Sequence, residues 1–189
     1  MTDQTVAATQ LDVRLMDIPA LRVAAVAGTM ASAQDVHPIH KKFVELMISD
    51  VPRALSFEGV RSPSGENVRT GALVYGDYTK PEAVMSAFKQ CLFIGDAAAR
   101  SVSAHQTFVD LAAIDSDVSV ETTPPGLYAM LTHTGPYAEL ASVARAMMYV
   151  KLPAMGLVHA GGPIIEFYRG PSEDGVPVTD VAIPVSQLP

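Results

Sequence analysis

Apolar positions recur along the chain in two rhythms, one of two residues and one of three to four. "PALRVAAVAG" has β-branched content after a proline and ends in a glycine, which predicts a strand around residues 21–27. In "HPIHKKFVELMISDV" (37–51), Ile39, Phe43, Leu46 and Met47 fall at helical spacing and predict an amphipathic helix. The polar stretch "RSPSGENVR" reads as a loop, and "TGALVYGDY" (70–78) and "KQCLFIGD" (89–96) return to strand character. In the second half, "PPGLYAMLTHTGPY" (124–137) predicts a strand that ends in a Gly-Pro turn. A helix over 137–152 follows, with Leu140, Val143, Ala144, Met147 and Val150 on one face. A loop through "PAMGLVHAGG" leads to the strand "PIIEFYRG", the turn "SEDGVP" and a closing strand "VTDVAIPV". Residues 1–10 are small and polar and read as a loose lead-in, and Val102, Phe108, Val109 and Leu111 predict an extra helix within 96–117.

Both halves run strand, helix, strand, strand. Aligning Gly71 with Gly162 gives an offset of 91 and sets Tyr75 against Glu166, whereas Leu21 and Leu127 are 106 apart, so the repeat carries insertions. The expected fold class is α+β, a pseudo-two-fold duplication of two βαββ modules. Its antiparallel sheets would form a concave groove with the helices on the outer side. The chain would then be a single domain over 1–189, with a first module at about 11–96, an insert at about 97–120 and a second module at about 121–189.

Composition narrows the function. Of 189 residues, 49% are apolar and 17% charged, as in a packed globular protein. A formal charge of −7, with no basic run longer than Lys41-Lys42, argues against direct nucleic-acid binding. The single cysteine, Cys91, cannot form an intrachain disulfide and reads as a small buried hydrophobe. The N-terminus lacks the order of a signal peptide and no apolar run approaches a membrane span, so the expectation is a soluble cytoplasmic protein. His37 and His40 have no evident third ligand, so no metal is expected. "HAGGP" lacks the lysine and spacing of a phosphate loop, and no cofactor is implied.

The remaining chemistry centres on Glu166 in "GGPIIEFYRGP". An acid in a short β-prone run is costly unless its face is wet or its charge is met. Alternation puts Ile164, Glu166 and Tyr168 on one face and Ile165 and Phe167 on the other. The purely apolar pair suits packing against helices, and the mixed set suits a groove wall. The same alternation turns Tyr128, Met130 and Thr132 toward the groove and Leu127, Ala129 and Leu131 inward, with Tyr75 opposite Glu166. A carboxylate among Tyr and Met would receive flat, apolar molecules bearing positive charge or a hydrogen-bond donor. The alternative is that Glu166 is solvated on an open sheet or paired with Arg169. Tyr137 serves either as helix entry or as groove wall, and Phe43 and Met148 weigh between core and ligand contact.

"YAMLTHTGPYAEL", the helix after it, "GGPIIEFYRGP", "TDVAIPV" and the early "DIPALRVAAVAG" together resemble the GyrI-like small-molecule-binding family. That family includes the effector-binding domains of AraC-type and MerR-type regulators. The resemblance covers most of 12–30 and 124–186 and implies a tandem pair of βαββ modules. It also implies a groove for hydrophobic, often cationic molecules, with a groove-strand glutamate that corresponds to Glu166. Some standalone members hydrolyse cyclopropane-containing natural products, which would make Glu166 a general base with a tyrosine such as Tyr137, Tyr75 or Tyr168 beside the leaving oxygen. Others inhibit DNA gyrase, so gyrase or a separate regulator enters as a possible partner. Haem binding, as in the distantly similar SOUL proteins, has little support in the histidines. The sequence departs from the family in having no tryptophan, where relatives commonly place one near Phe43. The domain also fills the chain, which leaves no room for a helix-turn-helix and implies that the protein is not itself a transcription factor.

Overall fold

The structure, a computed structural model, describes residues 11–29, 41, 43, 59–76, 85–96 and 118–188. Most of them build one antiparallel sheet. Its strands are β1 (Arg14–Ile18), β2 (Leu21–Thr29), β5 (Thr70–Gly76), β6 (Met85–Asp96), β7 (Val118–Thr122), β8 (Gly126–Thr134), β9 (Leu157–His159), β10 (Ile164–Pro171) and β11 (Pro177–Gln187). The order across the sheet is β1-β8-β11-β10-β5-β6-β2-β7, with β9 added on β11. A separate hairpin, β3 (Val60–Arg61) and β4 (Asn67–Val68), occupies the stretch expected to be a loop. β1, β7 and β9 were also not foreseen as strands. Each is five residues or shorter, and their pairing comes from elements distant in sequence.

The one helix described along its full length, α1, spans a 3-10 turn Tyr137–Glu139, an α-helical run Leu140–Ala146, a π-helical run Met147–Lys151 and a last turn Leu152–Ala154. Pro136 enters it with φ −59°, which the pyrrolidine ring imposes. The widened turn precedes Pro153, which has no N–H to donate, and Leu152 N–H already reaches back five residues to the Met147 carbonyl. That extra residue per turn shifts the helical phase. Val150, placed on the buried face by a strict α-helical spacing, is instead 51% exposed, and Leu152 is fully buried. Lys41 and Phe43 are helical, as the pattern of 37–51 predicts. The helix expected over 96–117 lies outside the described residues.

Directly paired residues in an antiparallel ladder share a face. Val181, Ile183, Ala129, Leu131, Ala72, Val74 and Ile164 share theirs with Leu140, Val143, Met147, Met148 and Leu152 of α1, forming the first core cluster. Leu73, Ile165, Phe167, Phe93, Cys91, Ala25, Tyr128 and Met130 form a second cluster on the opposite face, with Val60 and Val68 of the hairpin. There Phe93 and Phe167 stack with centroids 5.0 Å apart. Both faces are therefore buried, and α1 covers the face that carries Ile164 and Val181. Among the described residues, α1 therefore packs against the face of Ile164 and not, as the alternation suggested, against Ile165 and Phe167.

Gly71 lets the central strands close up. A Cβ there would sit 2.0 Å from the Glu166 carbonyl oxygen and 2.7 Å from the Phe93 ring, so no larger residue fits. The hairpin is pinned to the sheet through Asp180, which is fully buried. Thr132 Oγ1 and Ser64 Oγ each donate to it at 2.7 Å, and Arg169, which also pairs with Glu66, approaches at 3.5 Å.

Candidate functional site: a buried glutamate beneath two tyrosines

Glu166 lies mid-strand in β10, directly opposite Ala72 of β5 and Val181 of β11. Because Ala72 and Val181 belong to the cluster beneath α1, the carboxyl projects onto the helix-covered face. It is only 7% exposed. The Tyr168 hydroxyl donates to Glu166 Oε2 at 2.9 Å. Among the described residues no lysine, arginine or histidine pairs with it, and Arg169 is on the opposite face with Asp180 and Glu66. The Arg169-pairing and open-sheet alternatives are thereby set aside. Burial pushes the Glu166 carboxyl up to about 7, and the Tyr168 hydrogen bond only partly opposes this. Tyr168 is itself pushed well above its ordinary range, by burial first and then by the neighbouring Glu166 charge.

Tyr137, at the entry of α1, packs its ring on Tyr168 with centroids 5.1 Å apart and planes tilted by 56°. It is 51% exposed, so the two aromatic rings lead from solvent to the buried carboxyl. Met148 and Phe43 are buried in the same apolar cluster as Ile164 and Val74. Of the expected site residues, the structure thus brings Tyr168 and Tyr137 to Glu166 and places Met148 and Phe43 on its side of the sheet.

Three expected residues are elsewhere. Glu166 is in register with Ala72, and Tyr75, three residues along, points to the opposite face. There its hydroxyl donates to Glu121 Oε2 at 3.2 Å, and the Lys89 ammonium sits 5.1 Å from its ring centroid. Burial and the Glu121 charge push the Tyr75 hydroxyl up to about 12. Burial raises Glu121 in turn, but hydrogen bonds from Lys89, Ser119 and Tyr75 outweigh it and hold its pKa below the usual value. This is a self-contained ion-pair network, not a wall of the Glu166 site. Tyr128 and Met130 are almost wholly buried in the second cluster, and the Tyr128 hydroxyl is spent on the Pro124 carbonyl at 2.6 Å. The strand alternation was correct, but the wrong set was assigned to the helix, because both sets of β8 turned out to be buried.

Gln90, on the same face of the sheet, was not singled out from the sequence. It pairs with Ala72, so Gln90, Ala72 and Glu166 form one row across β6, β5 and β10, and Gln90 is only 7% exposed. The available signal was an amide set between Phe88 and Leu92 on one strand face. Cys91 faces the other way and is fully buried, and burial pushes its thiol far above the reactive range. Among the described residues no three His, Cys, Asp or Glu side chains gather as a metal site, and His37 and His40 lie outside them. Nor is any described helix long and apolar enough to cross a membrane.

The model of the GyrI-like small molecule binding domain matches residues 11–186, and the chain belongs to that family. Comparison with curated proteins gives no match. Among solved structures, the EcmrR C-terminal domain superposes with a TM-score of 0.61 at 14% identity, covering 95% of this chain and 99% of that one. SAV2435 bound to tetraphenylphosphonium gives 0.54 at 13% identity, with 93% and 94% covered. A hydrolase from Listeria innocua gives 0.53 at 12% identity, with 92% and 91% covered. At these identities the likeness establishes a common fold.

Proposed function

We propose that the protein captures hydrophobic cations or electrophiles, with Glu166 as the charge that recognises them. One observation carries this reading: Glu166 is buried, and its described partner is a single neutral hydroxyl. Burying a carboxyl without a cation is costly, and a protein that keeps such a group has a use for an incoming positive charge. Tyr168 and Tyr137 would supply the aromatic faces, with Met148 and Phe43 as adaptable apolar contacts. Tetraphenylphosphonium, the molecule bound by SAV2435, is the natural first probe. Wild type should bind it in the micromolar range or tighter, and Glu166→Gln should weaken binding at least tenfold at pH 8. Equal binding by the two proteins would remove Glu166 from the account.

The duplication belongs to the same proposal. The sheet order reads β10-β11-β8-β1 outward on one side of the central seam and β5-β6-β2-β7 on the other. In this reading β2, β5 and β6 form one module and β8, β10 and β11 the other. β1 and β7 are then leading arms, each paired with the opposite module.

A second reading is favoured by the pKa of Glu166. A carboxyl poised at about 7 suits a general base at neutral pH, and the chain would then hydrolyse a strained, cyclopropane-type electrophile. Glu166 would take the proton of the attacking water, with Tyr168 or Tyr137 hydrogen-bonded to the leaving oxygen. Mass spectrometry of a cyclopropane alkylating agent incubated with the protein separates the two readings. Multiple turnovers indicate catalysis, and stoichiometric capture indicates binding alone.

A further inference from the structure

We propose that the chain associates with a second copy of itself through the edge strand β1, in an antiparallel pair centred on Val13. This goes beyond the small-molecule reading and does not depend on Glu166. β1 ends the sheet on the side away from β7, so among the described residues nothing pairs with its outer edge. A free strand edge is a row of unsatisfied N–H and C=O groups, which proteins usually blunt with lysine, proline or a bulge. β1 contains neither lysine nor proline, and it pairs with β8 without a register shift.

The residues at this edge read Leu11-Asp12-Val13-Arg14-Leu15, symmetric in polarity about Val13 and with opposite charges on its two sides. Leu11 and Val13 pack against the core on the helix-covered face, and Leu15, directly opposite Ala129, shares that face. Alternation turns Asp12 and Arg14 to the other face. Both are exposed, and no ion pair among the described residues uses either. Directly opposed residues of an antiparallel pair share a face, so a two-fold copy centred on Val13 sets Asp12 against Arg14 of the second copy, twice. The same register sets Leu11 against Leu15 of the second copy, twice, and Val13 against its own equivalent. Leu15, 44% exposed in the single chain, is covered by this contact.

Neighbouring registers lose the match. Centring on Arg14 opposes two guanidinium groups, and centring on Leu15 sets Arg14 against Met16 and Asp17 against Val13. β7, at the other end of the sheet, carries one charge, Glu121, which Lys89 already meets, so it has no opposite charge to offer a copy. Charge complementarity thus selects the edge, the register and a second copy of this chain as the partner. Residues 11–15 fall well short of the roughly 20–30 residues a side of a stable interface, so the pairing is transient, with a Kd on the order of 10–100 µM.

Sedimentation velocity of the full chain, at concentrations bracketing that Kd, should show reversible exchange between monomer and dimer. Asp12→Arg or Arg14→Asp alone sets like charges against each other twice and should weaken self-association by about tenfold or more. Both positions are exposed, so the variants should melt like wild type. The decisive arm is their mixture. One variant carries two cations at these positions and the other two anions, so they should pair with each other although neither pairs with itself. Combining both substitutions in one chain should restore the wild-type Kd. A wild type that stays monomeric, as it would if a different partner covered this edge, overturns the proposal. Single variants that dimerise like wild type, or a mixture no more associated than its components, overturn it as well.

Discussion

Replacing Glu166 with glutamine should stabilise the protein, and only above a definite pH. The carboxyl titrates at about 7 in the folded chain, against 4.5 for the unperturbed group. A carboxyl with a raised folded-state pKa binds more protons folded than unfolded. Its favourable contribution is complete below about pH 4.5 and is lost as pH rises through about 7. The shift of 2.5 pH units, at about 1.4 kcal/mol per unit, corresponds to about 3 kcal/mol of lost stability above pH 7. Glutamine cannot ionise, and its carbonyl can still accept from Tyr168. Its amide N–H groups need new partners, an offset of 1–2 kcal/mol by the usual cost of a buried polar group, which does not vary with pH. The gap between variant and wild type should therefore grow by about 3 kcal/mol between pH 4.5 and pH 8, whatever its starting value. For a chain of this size that is on the order of 6–12 °C in Tm. Scanning calorimetry or urea unfolding at half-unit intervals would read it. Parallel stability curves for the two proteins would refute the claim that burial holds Glu166 near neutrality.

Removing the hydroxyl in Tyr168→Phe takes away the one interaction that lowers the Glu166 pKa, so the carboxyl should titrate higher than in wild type; carboxyl-selective NMR titration would read the direction. Phe167→Ala empties half of the Phe93–Phe167 stack in the second core cluster and should cost about 3–5 kcal/mol in denaturant unfolding. Asp180→Ala takes from Thr132 and Ser64 their shared carboxylate acceptor, leaves Arg169 with Glu66 alone and should cost about 2–4 kcal/mol, with proteolysis appearing first in the hairpin around residues 60–68. Gly71→Ala drives a methyl into the Glu166 carbonyl and should prevent stable folding; a variant that melts like wild type would contradict the close packing of β5 against β10.

The long strands and α1 were legible because their apolar periods are long enough to dominate local alternatives. Strand membership for β1, β7 and β9 was not, since a short strand takes its identity from its partner, and these partners lie 26–116 residues away in the chain. At the site, alternation along β10 correctly grouped Glu166 with Tyr168. Pairing Tyr75 with Glu166 failed for a specific reason. Aligning two glycines fixed an odd register, and with a side-chain period of two a one-residue slip moves a residue to the other face. Tyr128 and Met130 failed differently, because a strand buried on both faces carries no polarity to show which face meets the helix. Gln90 was readable as an amide among apolar neighbours, but its link to Glu166 exists only through the β6–β5–β10 register.

Proton release on ligand capture tests the central claim most directly. A cation seated against Glu166 favours its ionised form, so binding must expel the proton that burial holds there at and below about pH 7. Calorimetric titration with tetraphenylphosphonium in buffers of different ionisation enthalpy should show about half a proton released per cation at pH 7 and almost none at pH 8.5. The affinity should rise about tenfold from pH 6 to pH 8, and the effect should disappear in Glu166→Gln. Binding with no proton release and no change of affinity between pH 6 and pH 8 would contradict the assignment of Glu166 as the group that meets the charge.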